Sequence, residues 1–312
     1  MVDVSIVIVS WNAKKYLLDC LQSIQDTTGT LNVETIVVDN QSSDGSPDAV
    51  EERFPETILV RNQENMGFAR ANNAGIARST SRYLALVNSD ALVMQGCLQN
   101  LVKFMETHPS VGMVGPRILN ADRTLQPSAR RFPNLEATFA RAFFLDRLLP
   151  QRLFHLRSHM SAAELDRLRP VEVLEGCFWM VRREALEQVG GLDENFFMYG
   201  EDIDWCKRFH KAGWEVMYCP GAEAVHYGGA SSSNAATRFF LEMKKAELRY
   251  WEKNHGRVAR RVAAGILFLH CCLRAAGWKL KCALHPAARD KSLPMFERYA
   301  RCIQWLIGGA GR

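Results

Sequence analysis

From Val4 onward, strand-length β-branched runs alternate with helix-period segments, and each strand ends in a polar cluster. "VSIVIVSWN" is followed by a helical pattern over Lys14–Gln25. "VETIVVDNQSSDGS" leads into a helix over Pro47–Phe54, "TILVRN" into one over Phe68–Arg78, and "YLALVNSDALV" reads as a further strand. This spacing predicts an α/β chain with a parallel, doubly wound sheet. Such sheets bind ligands at the carboxyl ends of their strands. The clusters Ser10–Asn12, Asp39–Asp44, Asn62–Asn65 and Asn88–Asp90 should therefore converge on one crevice.

The pattern continues with a helix at Gln99–Glu106 and the strand "SVGMVGPRIL". Arg117–Pro170 breaks the alternation and carries ten arginines against five acids, which reads as a mostly helical insert beside the crevice. A strand and helix in "VEVLEGCFWMVRREALEQVGG", a short strand in "WEVMYCPGAEAVHYGG" and a helix over Thr237–Asn254 follow. The apolar and basic stretch Arg260–Leu284 comes next. The net charge of +5 is uneven, because Arg257–Arg312 holds eleven Lys/Arg against two acids. A basic tail on a slightly acidic body points to an anionic surface touched by the tail, not to nucleic acid. With Arg274 and Lys279 inside it, Arg260–Leu284 fits a helix lying on anionic lipid better than one spanning it; docking to a partner helix is the alternative. Nine scattered cysteines, without metal-like spacing, suit a reducing compartment. The first apolar run starts without a basic leader, so the expected location is cytoplasmic, peripheral on the inner membrane face.

No G-x-G-x-x-G follows the first strand and no P-loop is present, which argues against dinucleotide enzymes and P-loop NTPases. Asp39 and Asp90 could accept from a base or ribose or hold a divalent metal at a diphosphate. The alternatives are an Asx-turn for Asp39 and a helix cap for Asp90. In "FFMYGEDIDWCKR" three acids, Glu201, Asp202 and Asp204, crowd a helix start. Asp204 is four residues before Arg208, a surface ion-pair spacing. Asp202 follows the flexible Gly200 and could be a general base. Phe197, Tyr199 and Trp205 could stack on sugar faces or pack the helix. "PSARRFP" could present Arg130 and Arg131 to a phosphate-bearing acceptor or be a solvated loop.

"VSIVIVSWN", "VVDNQSSDGS", "NMGFARANNAGI", "LVNSDALV", "GCFWMVRREAL", "GGLDENFFMYGEDIDWCKR" and "VHYGGAS" follow one another. Their order resembles that of inverting family 2 glycosyltransferases of the GT-A fold, nearest the bacterial rhamnosyltransferase-like subgroup. The resemblance implies a Rossmann-like, mostly parallel sheet flanked by helices over residues 1–254, with the insert at 117–170 near the acceptor side. Residues 255–312 would form a basic helical C-terminal extension. Ser10, Trp11, Asn12, Asp39, Asn65, Gly67, Arg70, Asn73, Asn88 and Asp90 would bind the nucleotide-sugar donor. Asp90 and His226 would hold Mg²⁺ or Mn²⁺. Asn88 stands where the family carries the first acid of D-x-D, which removes one charge from the metal site. Asp202 would be the catalytic base, assisted by Glu201, and Gly176, Phe197, Tyr199 and Trp205 would meet the acceptor. The implied reaction is single-displacement transfer of a sugar, L-rhamnose from dTDP-L-rhamnose, to a hydroxyl of a lipid-linked cell-surface glycan. The alternatives are another UDP- or dTDP-sugar, or a non-catalytic sugar-nucleotide or glycan-binding protein.

Overall fold

The computed structural model describes residues 2–145, 160–229, 235–285 and 289–310. The chain divides into two compact units, Met1–Phe132 with His159–Asn234, and Pro133–Ser158 with Ala235–Arg312.

In the first unit the strands are β1 (Val4–Ser10), β2 (Val33–Asp39), β3 (Ile58–Arg61), β4 (Tyr83–Asn88), β5 (Ala91–Val93) and β6 (Val111–Leu119). The short β7 (Leu125–Gln126), β8 (Ala129–Arg130), β9 (Arg169–Pro170) and β10 (Val173–Leu174) precede β11 (Phe178–Arg182) and β12 (Glu215–His226). One mixed sheet runs in the order β3-β2-β1-β4-β11-β6-β12-β5, with β7 on β6 and β9 on β12; β8 and β10 form a separate ribbon. The first four neighbours are parallel, as the alternation predicts. β11 enters antiparallel between β4 and β6, and β12 returns parallel to β6.

The period-2 alternation of β1 gives the sheet two buried faces. Val4, Ile6 and Ile8 share a core with Leu17, Leu21 and Ile24 of α1 (Lys14–Thr27). After α2 (Ser46–Arg53) comes α3 (Phe68–Ile76), which lies on the opposite face. A Cβ on its Gly75 would stand 2.3 Å from Val7 Cγ1, so glycine is what lets this helix approach. Leu98, Leu101 and Met105 of α4 (Cys97–Thr107) complete the first face.

"YLALVNSDALV" is two strands, not one. The chain turns at Ser89–Asp90, and β5 pairs antiparallel with the end of β12 at the far side of the sheet. β12 is longer than the expected short strand; its register shifts between Cys219 and Glu223, around Pro220, which has no N–H for the ladder. α6 (Arg183–Val189) and α7 (Glu201–Lys211) lie between β11 and β12.

The second unit contains α5 (Leu135–Ala142), α8 (Ala236–Leu284) and α9 (Arg289–Trp305). The expected boundary at 254/255 lies beside Gly256, where φ +83° and ψ 175° break the helical path and divide α8 into two helical stretches. Ala263, Leu267, Cys271 and Ala275 recur every fourth residue along its buried stripe, and Cys271 meets Cys302 of α9. Of the expected insert, the described parts give α5, a 3-10 turn at Ala162–Glu164 and the short strands; residues 146–159 lie outside the described residues. Among the described residues no helix is long and apolar enough to cross a membrane.

Arg182, at the end of β11, is buried, and its guanidinium donates to the carbonyls of Met105, His108 and Val111. It answers the open end of α4 and the start of β6 together. Arg182→Met would remove three hydrogen bonds made by a buried charged group, at a cost of ~3 kcal/mol. Calorimetry should show a melting temperature lower by roughly 6–12 °C; a fall under 2 °C would contradict this role.

Candidate active site

Ser10 and Asp39 face each other as register partners at the carboxyl ends of β1 and β2. Asp39 Oδ2 accepts the Ser42 N–H at 2.9 Å and closes the turn. Its Oδ1 is buried without a hydrogen-bond partner, and so is Ser10 Oγ. Two unanswered polar atoms at adjacent strand ends are the mark of a site made for a ligand's donors and acceptors. Next to Trp11, Asn12 adopts φ +49°, and its Oδ1 accepts the Ser43 N–H at 2.7 Å, which laces the first turn to the second loop. Asp44 serves the backbone. Its carboxylate accepts the N–H groups of Lys14 at 2.8 Å and Ser46 at 3.0 Å, where α1 and α2 begin. Burial opposes its charge, but these bonds and the Ser46 hydroxyl hold its carboxyl below the usual range.

The third polar cluster carries the entry to α3. Asn65 Oδ1 accepts the Gly67 N–H at 3.0 Å, and Asn40 Nδ2 donates to the Gly67 carbonyl at 3.1 Å. Gly67 has φ +83°, and a Cβ there would lie 2.3 Å from the Phe197 carbonyl oxygen. The next N–H, of Phe68, donates to that same carbonyl at 2.6 Å. Arg70 is half exposed, 3.7 Å from Glu194, and Asn73 engages both ends of its amide with Leu192 and Glu194. These two side chains tie α3 to the 192–194 loop.

The pairing of His226 with Ala91 brings the end of β12 against the turn after β4. His226 Nε2 lies 3.2 Å from Asp90 Oδ1 and 3.3 Å from Asn88 Nδ2. Its Nδ1 is 2.7 Å from Gln126 Oε1, and Gln126 Nε2 donates to Asn120 Oδ1 at 2.9 Å. With Gln126 Oε1 as the acceptor, the proton sits on Nδ1 and the Nε2 lone pair faces Asp90. A carboxylate oxygen and an imidazole lone pair at that separation match two adjacent ligands of one octahedral cation, which stand about 3 Å apart. The residues fit a divalent metal. Among the described residues no third His, Cys, Asp or Glu joins them, so the remaining positions would fall to ligand oxygens and water.

α7 starts at Gly200 in the left-handed region, and its first turn is acidic. Asp202 Oδ2 meets Arg130 Nη2 at 2.6 Å, and Arg130 Nε lies 3.6 Å from Glu175. Burial works against the Arg130 charge; Asp202 and Glu175 outweigh it and raise its pKa. Arg131 is bound to Glu164 at 2.7 Å. The "PSARRFP" arginines are thus each paired with an acid within the protein, and both are partly exposed. Asp204 pairs with Arg208 at 2.9 Å as the spacing predicts, but it is buried, not on the surface. Burial first, and then the Asp202 charge, push the Glu201 carboxyl up to about 8.

Trp205 is fully buried against Trp179 and Phe209, with its indole N–H on the Gly190 carbonyl, and Phe196 is buried as well. Phe197 and Tyr199 are half-buried in the loop before α7, where Tyr199 holds φ +69°. A Cβ on Gly176 would be 3.0 Å from the Trp179 ring. Sequence reasoning missed Gln126, Glu175 and Asn40, since their partners lie far along the chain or are themselves loop polar groups. Only Asn40, adjacent to Asp39, carried a local signal.

A model described as glycosyl transferase family 2 matches residues 5–190, and one described as the N-terminal domain of galactosyltransferase matches 156–228. An N-acetylglucosaminyl-diphospho-decaprenol L-rhamnosyltransferase of Mycobacterium tuberculosis is 33% identical over 211 residues, covering 64% of this chain and 68% of that one. Rhamnosyltransferase WbbL of Escherichia coli is 24% identical over 192 residues, covering 59% and 69%. A mannosyltransferase of Pyrobaculum calidifontis, solved with GDP-Man and Mn²⁺, superposes with a TM-score of 0.55 at 18% identity, covering 97% and 87%. At that identity the likeness shows the fold, which is GT-A.

Glu201 supplies a pH test. Its folded pKa lies above the ordinary carboxyl value, so the folded state holds a proton that the unfolded chain releases between about pH 4.5 and 8. Its contribution to stability is therefore present at low pH and declines as pH rises through that window, by about 1.4 kcal/mol per pH unit at most. Glu201→Gln should remove this decline. Thermal melts from pH 5 to 8 should show the variant gaining on the parent as pH rises; parallel curves would refute the assignment.

Proposed function

The chain belongs to glycosyl transferase family 2, and on that premise we propose that it transfers L-rhamnose from dTDP-L-rhamnose, with inversion, to a hydroxyl of a lipid-linked glycan. That the protein is a glycosyltransferase follows from the family; the donor, the acceptor and the residue roles are the reading offered here. The observation that carries it is the convergence of the unanswered Asp39 Oδ1 and Ser10 Oγ with the Asp90–His226 pair at neighbouring strand ends.

In this reading Asp39 Oδ1 accepts from the pyrimidine base or ribose, with Ser10, Trp11 and Asn12 beside it. The 65–67 turn lines the donor, and its glycine lets the Phe197 loop pack against the turn. Asp90 and His226 would hold Mg²⁺ or Mn²⁺ with Asn88 adjacent. When bound, such a cation neutralises charge on the departing diphosphate. The Mn²⁺ in the mannosyltransferase structure supports this assignment. Asp202 takes the proton of the acceptor hydroxyl as its oxygen bonds to the anomeric carbon, while the sugar–phosphate C–O bond breaks and its electron pair leaves with the nucleoside diphosphate. Arg130, at 2.6 Å, orients the Asp202 carboxylate. Glu201 holds its proton near neutrality. One base suffices for a single displacement, unlike the two carboxylates of a glycosidase.

The helical unit would meet the inner face of the membrane. Val258, Val262, Leu269, Leu273, Leu280 and Leu284 are exposed along one side of α8. On a helical repeat they fall within about a quarter-turn of one another. Arg261 and Lys279 flank that row on one side and Lys281 on the other, a basic amphipathic face suited to anionic lipid.

Asp202→Asn should lower transfer by about 10²–10⁴-fold with donor affinity retained; unchanged turnover would point to a binding protein that kept the fold. dTDP or dTDP-L-rhamnose with Mn²⁺ should raise the melting temperature, more than without metal, and Asp39→Ala should abolish the rise. If no pyrimidine diphosphate or its sugar conjugate shifts it, the donor-site reading fails.

A further inference from the structure

The helical unit contains a cavity of about 290 Å³ between α5, α8 and α9. Arg141, Lys244 and Arg274 enter it against a single carboxylate, Glu247. Lys244 and Glu247 bond to each other at 3.2 Å. Burial opposes the Glu247 charge, and Lys244 and Arg141 hold its carboxyl below the usual range regardless. The two arginines therefore remain in excess over the acid. Arg274 is held in place: its guanidinium stacks 4.3 Å over the Phe144 ring, and its Nε is buried without a hydrogen-bond partner. A guanidinium held on an aromatic ring, with one N–H unanswered, can donate to an anionic oxygen. His270 Nδ1 donates to the Ala142 carbonyl at 2.7 Å, which fastens α5 to α8 beside it.

The cavity also borders an apolar face. Ile266, His270 and Arg274 follow one another at four-residue steps along α8 and line the cavity. On the helical repeat they adjoin the exposed row Val262, Leu269 and Leu273, the last 59% exposed. A phosphate seated against Arg274 and Arg141 would have its aliphatic chain lie directly on that row. The chemistry that satisfies both halves is an amphiphile with a terminal phosphate.

We propose that this cavity is a binding site for the terminal phosphate or diphosphate of a membrane lipid, with the lipid chain on the Val262–Leu269–Leu273 row. This deepens the membrane part of the reading above and is independent of the donor assignment. An isoprenoid diphosphate and a phosphomonoester phospholipid share the recognised group.

The test is flotation of the full-length protein with phosphatidylcholine vesicles carrying either phosphatidic acid or phosphatidylserine, matched in surface potential. The parent should prefer phosphatidic acid by ~5-fold or more. Arg274→Gln should abolish that preference, and vesicle binding through the basic face should persist, since one surface cation contributes only about 5-fold. Arg141→Gln, on the exposed rim, should weaken the preference in the same direction and serves if the Arg274 variant does not fold. Arg261→Gln should lower binding to both lipids alike. No preference in the parent, or a preference untouched in the arginine variants, would overturn the site while leaving membrane attachment standing. Inorganic pyrophosphate raising the melting temperature with no lipid preference would assign the cavity to a soluble anion and overturn the lipid. Loss of the phosphatidic acid preference on Leu269→Ser/Leu273→Ser, with phosphatidylserine binding and dTDP–Mn²⁺ stabilisation retained, would support the chain on the apolar row; a preference untouched there would overturn the chain placement.

Discussion

Two residues, Ser89 and Asp90, connect β4 to β5, and that short link disciplines the rest of the first unit. In sheet order three strands, β11, β6 and β12, stand between those two. A flat sheet would separate them by four spacings, ~19 Å. The chain from Asn88 to Ala91 reaches about 11 Å at most. The sheet must therefore curl until the end of β12 comes back beside the end of β4. The register shift around Pro220 gives β12 the bend this requires. The result is local and chemical: Asn88, Asp90 and His226, spread over 138 residues, fall within hydrogen-bond range of one another.

Electrostatics on the other side of the crevice follow a related logic. Four ionisable side chains, Arg130, Glu175, Glu201 and Asp202, are gathered near the start of α7. Two carboxylates and one guanidinium form a chain from Glu175 through Arg130 to Asp202. Glu201 avoids adding a third negative charge by holding its proton. A cluster that would be costly if fully ionised is instead one charge pair, one flanking acid and one neutral carboxyl. The dipole at the N-terminus of α7 favours what negative charge remains.

Much of this could be read from the chain, and the divide between what could and could not is physical. The parallel first half was legible because β1, β2 and β4 are buried on both faces and their apolar runs are local. The place of Asp39 at a strand end was legible from the alternation, and its Oδ2 closes the turn that the simpler reading assigned to it. β5 was not legible: "NSD" sits inside one apolar run, and only the partner strand, far along the sequence, decides that the chain breaks there. Gln126 and Glu175 act through side chains a hundred or more and about forty-five residues away, respectively, and no periodicity announces such pairs. The buried Asp204–Arg208 pair had the right spacing and the wrong setting, because an i, i+4 rule speaks of a helix alone and not of what covers it. The basic C-terminal stretch was seen as a separate piece, and the helical path does break beside its start, at Gly256 with φ +83° and ψ 175°.

The close contact at Gly67 has a wider consequence. The 65–67 turn packs at Gly67 directly on Phe197, on its carbonyl and its ring, and the Phe68 N–H is bonded to the Phe197 carbonyl. Neither loop can shift without carrying the other. Whatever molecule favours one position of the turn must favour the matching position of the loop, and by reciprocity a molecule held by the loop alters the affinity of the turn to the same degree. The two loops are joined by the Phe68–Phe197 hydrogen bond, by Arg70 and Asn73 reaching the 192–194 loop, and by a close approach that only a glycine at 67 allows.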